Sequence, residues 1–153
     1  MATSVYECNE KADLAIKAMV TAVIATAALP AHVNWALTAS AMGTGAAAIG
    51  KCYGFNLTKN EGWKLVKQFT LGAGLWFLGM NVGSKIISAV LESTGLGYAA
   101  GFAMDAATSA AFAWAIGATS KEYFQREYLG KSKLTEKELG KIFREAFKDH
   151  KNK

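Results

Sequence analysis

From Ala18 to Gly50 the chain runs for 33 residues without a charged side chain, and two further apolar stretches follow, Phe69 to Leu91 and Gly97 to Ala118. Charge collects instead in the segments 7–17, 51–67 and 121–153. Pro30 is the only proline, and β-branched residues never alternate with polar ones over a strand length, so the pattern reads as helical throughout. A first helix is expected over residues 9–29. It is amphipathic at its start and ends at Leu29-Pro30, because the residue before proline is pushed out of the α region. A second covers 33–53 and closes at Gly54. Thr58-Lys59-Asn60-Glu61 has the spacing of a capping box, in which hydroxyl and carboxylate each satisfy a free backbone amide. A third helix therefore starts near Lys59 and meets no breaker before about Glu92. The turn Ser93–Gly97 leads to a fourth helix over 98–128, ending at Gly130. Thr135-Glu136-Lys137-Glu138 repeats the capping-box spacing and opens a fifth, reaching about Asp149.

These elements predict an all-α protein: two helical hairpins, with tips at Pro30 and Gly95, and a C-terminal amphipathic helix. Helices of ~30 residues are ~45 Å long, whereas the hydrocarbon core of a bilayer is ~30 Å thick. The third and fourth helices are thus expected to span a membrane and to carry their charged ends beyond it. Residues 1–130 read as a helical membrane domain of two hairpins, and 131–153 as a basic amphipathic cytoplasmic tail. Basic residues in 59–67 and 121–133 flank the open side of the second hairpin. The positive-inside bias then gives a multi-pass protein of the cell inner membrane with both termini cytoplasmic. The competing arrangement is a soluble bundle that buries its apolar hairpin under amphipathic outer helices.

Composition narrows the function classes. Apolar residues make up 52% of the chain and the formal net charge is +5, yet no basic stripe is interleaved with aromatic stacking positions, which argues against nucleic acid. The N-terminus lacks a basic segment before an apolar one, so no cleaved signal peptide is expected. Cys8 and Cys52 stand 44 residues apart with no CxxC and no paired histidine. They read as two ordinary reduced cysteines, with no disulfide framework and no metal site.

One constellation could carry chemistry. Lys85 and Asp105 each lie ten residues from Gly95, so an antiparallel hairpin places them at the same depth, ~15 Å from its tip. Asn81 shares a helical face with Lys85, and Thr108 shares one with Asp105. Ionisable groups inside a span face one another or a wet cavity, so these four residues form either a structural ion pair or the wall of a polar path. The lack of a relay of ionisable groups leading outward favours the pair. Gly79 and Gly83, and Gly97 and Gly101, have the GxxxG spacing that lets helix backbones approach in lipid, either toward the first hairpin or toward a second copy. Met42-Gly43-Thr44-Gly45 is no phosphate loop, since it lacks both the lysine spacing and a preceding strand. His32 and His150 have no evident catalytic partner. No cofactor is implied, and an enzyme is the least expected class.

The C-terminal helix places Leu139, Ile142, Phe143 and Phe147 on one side and Lys137, Lys141, Arg144 and Lys148 largely on the other. The apolar stripe should dock on something: an anionic lipid surface, the ends of the long helices, or a protein partner.

The order Ala27-Ala28-Leu29-Pro30, Ile49-Gly50-Lys51-Cys52-Tyr53-Gly54, Gly95-Leu96-Gly97, Ala115-Ile116-Gly117 and Tyr123-Phe124 resembles the YcjF-like, GTPase-associated bacterial family over residues 12–128. Thr94 stands where that family usually has a proline before the Gly-x-Gly turn. The resemblance implies a membrane module serving an Era-like GTPase, with no catalytic residues to carry over. The expectation is a small membrane anchor or adaptor for a cytoplasmic partner, self-associating through its glycine faces. Two alternatives stay open: an oligomeric pore or transporter with Lys85 and Asp105 on its path, and a soluble or reversibly inserting helical lipid-binding protein.

Overall fold

The computed structural model describes residues 4–26, 31–72 and 106–151. Among them it contains five helices and no strand: α1 (Val5–Thr26), α2 (Ala31–Cys52), α3 (Lys59–Gly72), α4 (Ala106–Tyr128) and α5 (Glu136–Lys151). The ends of these helices follow from local chemistry. The Glu7 amide donates to Ser4 Oγ at 3.2 Å, which caps α1 four residues before its expected start. The Thr58–Glu61 and Thr135–Glu138 boxes both close reciprocally, at 3.0 and 3.1 Å in each case. α2 and α4 end in the same motif. Gly54 and Gly130 take φ of 89° and 70°, and the amide after each reaches back to the carbonyl of Gly50 or Arg126. That left-handed residue satisfies carbonyls that the helix leaves free, and glycine adopts it without a Cβ penalty.

Antiparallel and parallel contacts set the bundle. Met19 of α1 lies against Gly45 of α2, and Ile16 lies against Gly117 of α4. Asp13 pairs with Lys121 at 2.8 Å. α1 therefore runs antiparallel to both α2 and α4, which are parallel to each other, with Phe124 against Gly50 and Tyr128 against Tyr53. α3 crosses α2 at Gly43 and Gly62. The core collects Cys8, Ala12, Ile16, Met19 and Val23 from α1, Met42, Ala46 and Ile49 from α2, and Val66 and Phe69 from α3. α4 contributes residues such as Phe112 and Ile116, and α5 adds Leu139, Phe143 and Phe147. At ~1.5–3 kcal/mol for each large side chain buried, this shared core is the main stabilising contribution.

The all-α expectation holds, whereas the integral-membrane one gains no support: no described helix is long and apolar enough to cross a membrane. The physical reason is visible in the residues. α1 carries Glu7, Glu10, Lys11, Asp13 and Lys17 over its first half, and α2 interrupts its apolar run with His32, Asn34, Thr38, Ser40 and Thr44. Alanine and glycine, which make up much of the remainder of α2, contribute little transfer energy each. The turn at Pro30 and most of the second expected hairpin, with its tip at Gly95, lie outside the described residues.

Candidate functional site

The helix directions gather the charges of α1, α2 and α4 at one end of these three helices. Glu7 to Lys17 of α1, Lys51 of α2 and Lys121 to Glu127 of α4 share one pole. Residues 18–26 of α1, 31–50 of α2 and 106–120 of α4 run to the other pole without Asp, Glu, Lys or Arg. Ile24 and Leu37, in the uncharged half, are 44% and 45% exposed.

Two clefts open at the charged pole. The larger, of about 540 Å³, is lined by Cys8 and Lys11 of α1, by Ala48, Lys51 and Cys52 at the end of α2, by Tyr53 and Gly54 just after it, and by Tyr128. The Tyr53 hydroxyl donates to Oδ1 of Asn9, and its ring meets Tyr128 edge-on, with centroids 6.1 Å apart. Burial pushes the Tyr53 phenol far above its ordinary range, helped by neighbouring Cys8 and Asp13. Burial also raises the Cys52 thiol, with Cys8 adding to the effect and Lys11 opposing it. The Cys52 thiol donates to the Ala48 carbonyl at 3.3 Å. The second cleft, of about 360 Å³, has Phe55, Leu65, Tyr123 and Phe124 among its walls, with Glu61 and Lys64 beside them. Phe55 and Phe124 stack in a tilted arrangement at 5.6 Å. Among the described residues no group of three or more His, Cys, Asp or Glu could hold a metal ion.

The polar pair and its neighbours, Lys85, Asp105 and Asn81, lie outside the described residues, as do Gly79, Gly83, Gly97 and Gly101. Thr108 belongs to α4, whose backbone is described there. The four residues of the apolar tail stripe come together. Leu139, Phe143 and Phe147 are buried, and Ile142 packs against the core. Phe143 meets Phe112 edge-on at 5.2 Å. The stripe thus docks on the protein's own helices. Sequence reasoning missed the pole cleft entirely, since Cys8, Asn9, Cys52 and Tyr53 meet only through the pairing of α1 with α2. It also missed the close-approach glycines Gly43, Gly62 and Gly117.

The family model of a domain of unknown function, DUF697, matches residues 8–152. The chain belongs to the DUF697 family. The match runs from the pole cleft at Cys8 through α5, so the DUF697 domain takes in both clefts and the docked C-terminal helix. No curated protein and no solved structure matches the chain.

Proposed function

We propose that this DUF697 domain is a membrane-associated adaptor, with its uncharged pole seated in a lipid interface and its charged pole presented to a cytoplasmic partner. The observation that carries this reading is the separation of charge along α1, α2 and α4. In α1, α2 and α4 the charged residues fall toward one end, which leaves an end of these three helices without Asp, Glu, Lys or Arg and with Ile24 and Leu37 exposed on it. Such an end costs little to dehydrate against lipid. A GTPase is the partner class that the YcjF-like resemblance supports, and the two clefts at the charged pole offer it an uneven, partly aromatic surface. A second form of the same reading has the domain insert reversibly, and no described helix is long and apolar enough to cross a membrane.

Flotation of the purified chain with liposomes, followed by carbonate extraction, tests the proposal. Association with vesicles is expected, and Ile24→Glu combined with Leu37→Glu should release the protein while its helical circular dichroism is kept. Resistance to carbonate indicates stable insertion, and extraction indicates reversible seating. A chain that stays with the soluble fraction in the presence of vesicles defeats both.

A further inference from the structure

Cys8 and Cys52 are free thiols on the walls of one cleft. Met19 against Gly45 and Asn9 bonded to Tyr53 keep α1 and α2 in antiparallel register to the open end of the pair. The two cysteines are the chain neighbours of that Asn9–Tyr53 bond, one on each helix, and both line the same cleft at the charged pole.

We propose that Cys8 and Cys52 form a reversible disulfide that ties α1 to the last turn of α2, with a low-molecular-weight disulfide such as oxidised glutathione as the oxidant. The Cys52 thiolate attacks one sulfur of glutathione disulfide. The S–S bond breaks, and one glutathione leaves as a thiolate that takes up the proton Cys52 has lost. The Cys8 thiolate then attacks the Cys52 sulfur of the mixed disulfide, and the second glutathione leaves in the same way. Two protein thiols are oxidised to one disulfide, and one glutathione disulfide is reduced to two thiols. Exposure sets the order. Cys52 is half-buried at the cleft, while Cys8 is 1% exposed, so Cys52 meets the reagent and Cys8 resolves it. Lys11 and Lys51 on the cleft walls complement the carboxylates of the incoming peptide. Because burial and neighbouring Cys8 hold the Cys52 thiol protonated, its first step is slower than that of an exposed thiol. The proposal does not depend on membrane association.

The test uses the full reduced chain, incubated with oxidised glutathione, quenched in acid, denatured, treated with a maleimide and weighed. The dominant product should take up no maleimide, carry no glutathione and migrate as a monomer without reductant. Dithiothreitol should restore both thiols. Cys8→Ala should stop at the mixed disulfide on Cys52, and Cys52→Ala should take up glutathione far more slowly than wild type. Disulfide formation demands closely spaced Cα atoms and converging Cβ vectors, so the wild-type protein itself is decisive, whatever the stability of the variants. Wild-type protein that halts at the mixed disulfide, retains both thiols or links only between chains overturns the proposal.

Discussion

Gly62 of α3 lies directly on the backbone of Gly43 in α2, so close that a Cβ at Gly62 would stand only 2.1 Å from the Gly43 carbonyl oxygen. A Cβ at Gly43 would meet the Lys59 carbonyl oxygen at 3.0 Å and Trp63 at 3.3 Å. Both are tight contacts, but less severe. The obstacle at Gly62 is backbone, which cannot rotate away as a side chain does, so a methyl group there forces the two helices apart.

Gly62→Ala should therefore cost ~1–3 kcal/mol or more, the usual range for overpacking, and Gly43→Ala should cost less. Chemical denaturation of the two variants checks the order. Equal losses would mean that α3 slides freely over α2.

Phe143 is fully buried against Phe112. Phe143→Ala should lower stability by ~3–5 kcal/mol, the lost transfer energy plus the cavity left behind. Phe143→Asp should go further and unfold the bundle, not merely loosen α5. A thermal melt of Phe143→Asp in which α1 to α4 still unfold cooperatively at the wild-type temperature would show that α5 is dispensable.

Thr119 and Ser120 are adjacent, and both are fully buried. Thr119 donates its hydroxyl to the Ala115 carbonyl at 2.7 Å, but Ser120 Oγ has no hydrogen-bond partner among the described residues. Leaving a buried hydroxyl unsatisfied costs ~1–3 kcal/mol. Ser120→Ala should consequently raise the denaturation midpoint while Thr119→Ala lowers it. A loss of stability in Ser120→Ala would show that the hydroxyl is satisfied.

Glu61 and Glu138 accept from the Thr58 and Thr135 amides and hydroxyl groups, and these hydrogen bonds hold both carboxyls below the ordinary value of 4.5. A depressed folded pKa means that the contribution is present above the unfolded pKa and lost as pH falls through the folded one. Urea midpoints followed downward from neutral pH should decline below about pH 4.5, and Glu61→Ala with Glu138→Ala should make that decline shallower. An unchanged slope in the double variant would assign acid sensitivity to other carboxylates.

The two capping boxes at Thr58 and Thr135, the stops at Gly54 and Gly130 and the apolar stripe of α5 were legible in the residues. Each depends on groups within a few positions of one another, and an α-helix repeats its face every three or four residues. Ser4-Val5-Tyr6-Glu7 has the same spacing as the two boxes, and reading it as a cap would have placed the start of α1 correctly. The membrane-spanning expectation rested on the absence of charge over long stretches. Much of the third and fourth helices it concerned lies outside the described residues, and alanine and glycine fill space between helices as readily as they face lipid.

What the chain by itself determined is therefore local: helix in the described segments, the caps at Thr58 and Thr135, the stops at Gly54 and Gly130, and which side of α5 is apolar. Only the tertiary structure decided that the stripe of α5 closes over Phe112 and that α3 crosses α2 on paired glycines. It also decided that charges scattered over three helices gather at one pole, and that Cys8 and Cys52 share a cleft across 44 residues of chain. The physical reason is that these relationships depend on the register between helices. Side-chain volume set register across whole interfaces, with Met19 seated on Gly45 and Ile16 on Gly117, and no short run of sequence specifies that fit.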